Sequence, residues 1–387
     1  MATPPKPAGA RVVVEAGNFQ QLLDALAARG YLLVGPSLKD GQLIYGEITS
    51  VADLPQGWTD EQEAGAFRLK ARGDQAFFGY GVGQQSWKQF LFPPRQLLWQ
   101  AHRQGAGFKV VPPAAADPKF AFVGVHACDL QALAVQDRVF LKGGYVDPSY
   151  QRRRANALVI AVNCTQACGT GFCASLSTGP KATSGFDLAL TEILEDARHY
   201  FVVEVGTPLG AQILAEIPQR PAGAREIEAA TLLVEKAALN QGRVLDPEGL
   251  KDLLYRNYEH PRWEQVAARC LTCGNCTLVC PTCFCHTLED ATDLTGAEAE
   301  RRRRWDSCFT VDFSYLHGGS VRTSGASRYR QWLTHKLATW QDQFGCLGCV
   351  GCGRCLTWCP VAIDLTEEVR AIRETETSPK EKPHGNP

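Results

Sequence analysis

One cysteine motif occurs twice in this chain and limits what the sequence can fold into. The first copy is Cys270-x2-Cys273-x2-Cys276-x3-Cys280-Pro281. The second copy repeats the spacing as Cys349-x2-Cys352-x2-Cys355-x3-Cys359-Pro360. With this spacing, three cysteines in a tight loop can wrap one [4Fe–4S] cubane while the fourth leaves the loop. The duplicated motif therefore predicts two [4Fe–4S] clusters and electron-transfer chemistry.

The fourth cysteine of each copy is expected to bind the cluster of the other copy, as in two-cluster bacterial ferredoxins. The expected ligands of the first cluster are Cys270, Cys273, Cys276 and Cys359, and those of the second are Cys349, Cys352, Cys355 and Cys280. The two copies must then fold together across the 68 residues between Cys280 and Cys349. Zinc is the alternative, but zinc sites usually use separate Cys-x2-Cys pairs. Two four-cysteine runs that end in Cys-Pro favour the clusters.

Eight of the 16 cysteines lie outside the two motifs. A third [4Fe–4S] cluster with ligands from both halves of the chain is one hypothesis, with candidate ligands Cys164, Cys173, Cys283, Cys285 and Cys308. Cys168 belongs to the same sequence group as Cys164 and Cys173. The alternative is that these are buried free cysteines, which pack as small apolar residues. For Cys128 and Cys346 we favour this alternative.

Composition and charge exclude several classes of protein. Net charge is −1, so no overall positive field attracts nucleic acid or an anionic membrane. The N-terminus has no apolar segment of signal-peptide length, and the longest apolar stretch, at 157–162, is too short to span a bilayer. We therefore expect a soluble cytoplasmic protein whose cysteines bind metal rather than form disulfides.

The chain of 387 residues is long enough for two or three domains. Continuous apolar runs at 120–125, 157–162 and 200–205 predict buried strands. We predict an α+β fold: a mixed α/β domain over 1–245, then a helical dicluster ferredoxin-like domain over 246–373 with an insert at 286–345. The polar segment 374–387 is expected to be a disordered tail.

The sequence also resembles a known family. It is similar to the iron–sulfur beta subunit of cytoplasmic [NiFe] hydrogenases of the sulfhydrogenase type, and to the equivalent electron-transfer subunit of anaerobic sulfite reductase. The stretches that carry the resemblance are 270–285, 304–308, 327–332 with His335-Lys336, 348–360, and, in the first half, 86–88, 92–94, 124–130 and 163–180. The family pattern has no cysteine at the position of Cys346, which agrees with leaving Cys346 out of the ligands.

The resemblance implies a role in a complex rather than a private reaction. Such subunits have no catalytic residues of their own and relay electrons between a flavin subunit that handles NAD(P)H and a catalytic subunit. We expect the catalytic partner to be a [NiFe] hydrogenase subunit, and the alternative is a sulfite reductase subunit. A second alternative is a self-contained iron–sulfur oxidoreductase with a substrate or flavin site in residues 1–245. The resemblance leaves the role of that first domain open.

Overall fold

The computed structural model describes residues 7–112, 117–195 and 198–376. Its strands are β1 Arg11–Glu15, β2 Leu32–Lys39, β3 Gln42–Glu47, β4 Trp58–Glu63, β5 Ala66–Ala71, β6 Arg95–Gln104, β7 Gly107–Val111, β8 Phe120–His126, β9 Leu158–Val162, β10 Leu188–Glu195, β11 Arg198–Val205, β12 Arg220–Pro221, β13 His286–Thr292, β14 Glu298–Trp305, β15 Tyr315–Leu316 and β16 Gly319–Ser320.

Helices follow the strands in the first half and dominate the second. They are α1 Phe19–Ala27, α2 Lys88–Leu91, α3 Ala127–Leu141, α4 Pro148–Ala155, α5 Pro208–Leu214, α6 Ala224–Leu239, α7 Leu250–Arg256, α8 Arg262–Ala267, α9 Asn275–Leu278, α10 Gly325–Thr334, α11 Trp340–Phe344, α12 Arg354–Thr357 and α13 Leu365–Glu374. A π-helical turn, His335–Thr339, joins α10 to α11.

An eight-stranded sheet forms the centre of the first half, in the order β12-β1-β11-β10-β9-β8-β2-β3. The four neighbours β10, β9, β8 and β2 are parallel, and the remaining pairings in this sheet are antiparallel. Strands β8 and β9 are buried along their whole length, as expected for central strands covered on both faces. The buried strands predicted from the apolar runs are confirmed as β8, β9 and β11.

Helices cover both faces of this sheet. Along β9, Leu158, Ile160 and Val162 join one buried cluster, which includes side chains of α1 and α5. Val159 and Ala161 join the other, which includes side chains of α3 and α4. This alternation follows from the two-residue period of a strand and gives the mixed α/β architecture that the sequence predicts.

A second sheet connects the two halves of the chain. Its order is β13-β14-β6-β7, so the hairpin of the predicted insert pairs with strands from the first half. Strand β14 runs antiparallel to β6, from Glu298 opposite His102 to Arg304 opposite Arg95. The domain boundary at residue 245 therefore remains a prediction, because backbone hydrogen bonds of one sheet cross it.

The second half has a buried core built mainly from helices α7, α8, α10, α12 and α13, and Phe172 of the first half joins it. The second half contains strands as well as helices. Helix α13 extends to Glu374, and Glu376 accepts hydrogen bonds from Arg256 and Asn257; the disordered tail over 374–387 stays a prediction. Residues 377–387 lie outside the described residues. No helix in the described part of the chain is long and apolar enough to cross a membrane.

One buried ion pair joins the halves beside the second cysteine motif. Arg354, on α12, donates to both carboxylate oxygens of Asp129, on α3, at 2.7 and 2.9 Å. The same guanidinium donates from Nε to the carbonyls of Gly83 and Gln85. The side chains of Arg354 and Asp129 are 0% and 1% exposed, so water cannot replace either partner.

This pair predicts a large loss of stability in Asp129→Asn. The variant leaves the Arg354 charge buried without its counterion, which costs about 3–5 kcal/mol. Anaerobic thermal unfolding followed by circular dichroism should show a clearly lower midpoint. Asp342→Asn, which removes an exposed partner of Lys251, is the control and should leave the midpoint near that of the native chain. Equal midpoints for the two variants would contradict the role of the buried pair.

Candidate metal centres

Each cysteine motif is a loop that ends in one short helix. Gly274 and Gly353 precede α9 and α12 with φ of +73° and +78°, a backbone conformation that favours glycine. A Cβ on Gly353 would lie 2.5 Å from the carbonyl oxygen of Thr170. The conformation and this close packing together require glycine, so the second loop is fitted against the first half of the chain.

The first group of thiols combines cysteines from both motifs. Cys270, Cys273 and Cys276 line one cavity together with Cys355 and Cys359 of the second motif. The cavity contains about 460 Å³ of space free of atoms, counting its open mouth, and aromatic side chains form part of its wall: Phe309, Tyr329 and Trp332. Four of these five cysteines are the ligands that the crossed pairing predicts for the first cluster, and that assignment stays a prediction.

Backbone amides point at two sulfur atoms of this first group. The N–H of Thr272 donates to Cys270 Sγ at 3.4 Å, and the N–H of Ile363 donates to Cys359 Sγ at 3.3 Å. Burial raises the pKa of Cys276 well above its usual value, and the neighbouring thiolates of Cys270, Cys359 and Cys273 raise it further. Four thiolates this close repel one another, and a cationic iron–sulfur core fits because it removes that repulsion.

The second group brings Cys280 of the first motif to the three loop cysteines of the second. Burial raises the pKa of Cys355 well above its usual value, and the thiolates of Cys349, Cys352 and Cys280 add to this effect. The N–H of Gly351 donates to Cys349 Sγ at 3.4 Å. These neighbours of Cys355 are the other three cysteines predicted for the second cluster, and Cys355 also lines the cavity of the first group.

Two buried lysines lie beside Cys280. Lys336 Nζ donates to Cys280 Sγ at 3.1 Å, and Lys88 Nζ donates to the Cys280 carbonyl at 2.9 Å. Burial alone would lower the pKa of Lys336, but the thiolates of Cys280 and Cys283 raise it well above its usual value. For Lys88 burial prevails and lowers the pKa to about 8. Both lysines lie in stretches that carry the family resemblance, 86–88 and His335-Lys336, but no sequence pattern assigns either lysine a role.

The candidate ligands of a third cluster form two separate groups of cysteines in the structure. Cys283 lies beside Cys280, and Cys285 lies beside Cys308. Cys164 and Cys173 belong to a second place, where Cys168 is a neighbour of both. Within the described residues, no group of three or more His, Cys, Asp or Glu side chains is arranged to hold a single metal ion.

Cys128 and Cys346 differ from each other in environment. Cys128 is buried, and the groups that influence its pKa after burial include Asp129, Cys173 and Cys352. Cys346 is half-buried, and the neighbouring charge that influences its pKa is that of Arg138. That Cys346 is not a ligand stays a prediction, and its surroundings make it a suitable control cysteine.

The crossed pairing makes a specific prediction for double variants. Cys276→Ala/Cys359→Ala should lose one cluster, about four iron atoms per chain, because both residues belong to the first set. Cys355→Ala/Cys359→Ala should lose two clusters, about eight iron atoms, although both residues lie in the second motif. Iron analysis and electron paramagnetic resonance (EPR) of anaerobically prepared protein measure both, with Cys346→Ala as control. The reverse pattern would mean that each motif binds its own cluster.

Comparison with known proteins agrees with this geometry. The model of the 4Fe–4S dicluster domain family matches residues 269–363, which include both motifs and the segment between them. Sulfhydrogenase 2 subunit beta from Pyrococcus furiosus is 33% identical over 292 residues, which cover 74% of this chain and 82% of that protein. This chain therefore belongs to the family of sulfhydrogenase beta subunits and carries a 4Fe–4S dicluster domain.

Proposed function

We propose that this chain relays single electrons through two [4Fe–4S] clusters as one component of a hydrogenase. The observation that carries the proposal is the cavity that Cys270, Cys273 and Cys276 share with Cys359. Cys359 lies 83 residues after Cys276 in the sequence. When bound, an iron–sulfur cubane supplies reversible one-electron chemistry. The protein supplies the thiolates, the hydrogen bonds to sulfur and the exclusion of water.

The two sites differ in their access to the surface. Cys273 of the first set is exposed, whereas Cys280 and Cys349 of the second are buried. Leu271 and Leu278, on either side of Cys273 in the sequence, are 60% and 41% exposed. We therefore assign the first site to electron exchange with a partner protein at this surface. The second site is the buried cluster of the relay.

The first half of the chain acts as a cover for the second motif in this proposal. Phe172 N–H donates to the Gly351 carbonyl at 2.8 Å, and Thr178 donates to the Val350 carbonyl at 2.8 Å. Thr170 and Thr357 share a 2.7 Å hydrogen bond across the same contact. These contacts support a role of residues 1–245 in burying the second cluster, which would protect it from water and oxygen.

The partners in the proposal are a flavin subunit that exchanges electrons with NAD(P)H and a [NiFe] catalytic subunit. The relative with 33% identity is named a sulfhydrogenase subunit, which favours hydrogenase over sulfite reductase. We also propose that the two motifs follow a ferredoxin-like path within 246–373. All 16 cysteines lie in the described residues and none of them forms a disulfide, which supports a reducing location such as the cytoplasm.

A third cluster is a further part of the proposal. Ligands from one place would be Cys283, Cys285 and Cys308, and those from the other would include Cys164 and Cys173. Both groups lie next to a motif cysteine, since Cys283 contacts Cys280 and Cys173 neighbours Cys352. Either position would lengthen the relay beyond the two motif clusters.

Iron analysis separates two clusters from three. Anaerobically prepared protein should contain about 8 iron atoms per chain with two clusters and about 12 with three. If the value is near 12, Cys285→Ala and Cys164→Ala identify the place, because only the variant that removes a ligand should lose about four iron atoms. A value near 8 with no change in either variant would contradict the third cluster.

Purification of the intact complex from its host tests the partners. We expect nickel and flavin to accompany the tagged chain, and we expect Cys276→Ala and Cys355→Ala each to stop electron transfer between NAD(P)H and the catalytic subunit. Sirohaem without nickel would replace the hydrogenase by a sulfite reductase. Full activity in the absence of either cluster would contradict the relay itself.

A further inference from the structure

The ammonium group of Lys336 lies among the cysteine thiols of the second half. The side chain is 2% exposed and projects from the π-helical turn between α10 and α11. Its Nζ donates to Cys280 Sγ at 3.1 Å, Thr282 Oγ1 at 3.3 Å, the Gly348 carbonyl at 3.2 Å and Cys283 Sγ at 3.5 Å. Two of its four hydrogen-bond acceptors are therefore sulfur atoms.

Lys336 differs in its counterion from Arg354 and Glu368, which are also buried. Arg354 is paired with Asp129, and the buried carboxylate of Glu368 is paired with Arg262 and Arg269. For Lys336, the described residues supply no carboxylate within 4 Å. A buried cation without a counterion is costly, so the negative charge must come from the sulfur atoms around it.

The hydrogen bonds of the Lys336 ammonium place this charge beside the second cysteine set rather than the first. Cys280 Sγ belongs to the second ligand set, and the Gly348 carbonyl that accepts from Nζ precedes Cys349 directly in the chain. Among the charged neighbours of Lys336, the thiolates of Cys280, Cys283 and Cys349 contribute most to its pKa after burial. The described structure shows no hydrogen bond from Lys336 to a cysteine of the first set.

We propose that Lys336 is a potential-setting residue that makes the cluster held by Cys280, Cys349, Cys352 and Cys355 easier to reduce. This inference rests on the proposed relay. Reduction adds one electron, and therefore one negative charge, to the cluster and its four thiolates. The Lys336 ammonium stabilises that added charge in a water-poor interior, and its N–H donation to Cys280 Sγ acts in the same direction. Lys336 therefore raises the reduction potential of the second, more buried cluster, so that the electron favours this cluster.

Lys88 provides a matched comparison inside the same protein. It is a second buried lysine beside Cys280, but its Nζ donates to the carbonyls of Cys280 and Cys283 and lies 3.8 Å from the centre of the Trp305 ring. Its hydrogen bonds therefore reach the backbone and not the sulfur atoms. Replacing it tests the loss of a buried lysine without the loss of a sulfur contact.

Redox titration monitored by EPR at one fixed pH tests the proposal. In Lys336→Met, the second cluster should have a lower midpoint potential, by an amount equal to at least a tenfold change in its one-electron reduction equilibrium, or about 59 mV. The first cluster should shift less. Lys336→Arg retains the positive charge and should restore most of the midpoint, and Lys88→Met should shift it less than Lys336→Met. The variant Cys359→Ala, which is expected to lack the first cluster, assigns the signals.

Lys336→Gln is the second charge-removing variant in case Lys336→Met does not fold. Unchanged midpoints in a charge-removing variant with full iron content would overturn the proposal, and so would an equal shift in Lys336→Arg or Lys88→Met. Failure of all three Lys336 variants to hold the second cluster would also overturn it and would make the lysine a structural residue. Absence of [4Fe–4S] signals from the native chain would instead overturn the proposed relay.

Discussion

Cys280 and Cys359 can each serve a cluster of the other motif only if two distant chain segments are held together. Much of the second half satisfies this constraint. The hairpin β13–β14 leaves the first motif and pairs with β6, and helices α10 and α11 then return the chain to the second motif. The 68 residues between Cys280 and Cys349 are thus a folded connection between the two motifs.

Burial of many thiols imposes a second requirement, which concerns charge. Three buried cations lie around the second motif. Lys336 donates to a cysteine sulfur, and Lys88 donates to the backbone beside it. Arg354 lies between Cys352 and Cys355 in the sequence and is paired with Asp129. Burial raises the pKa of the thiols of Cys349 and Cys352, and the charges of Lys336 and Arg354 oppose that effect and so assist anionic sulfur. An ordinary apolar core would not stabilise such cations. Anionic sulfur does, which explains why charged residues here occupy positions with almost no exposure.

The contacts of the first half of the chain with the second motif support its proposed role as a cover. Its eight-stranded sheet carries α3 and the loop at 168–178, and both pack directly against the second motif. The glycines of that motif fit against backbone atoms of Thr170 and Phe172, so the two surfaces are complementary at atomic distance. A relay protein needs such a cover because cluster potential depends on burial and on hydrogen bonds to sulfur.

The sequence by itself determined the type, the number and the expected ligands of the motif clusters, because a cubane requires fixed cysteine spacing within a local loop. It also determined the buried strands β8, β9 and β11, because continuous apolar runs suit the centre of a sheet. Tertiary structure alone decided that β14 pairs with β6, that Arg354 meets Asp129 and that Lys336 reaches Cys280. Each of these contacts joins residues that are dozens to hundreds of positions apart, and no local pattern specifies such a partner. The ligand spacing is local, whereas the charge and the cover around the ligands are properties of the folded chain.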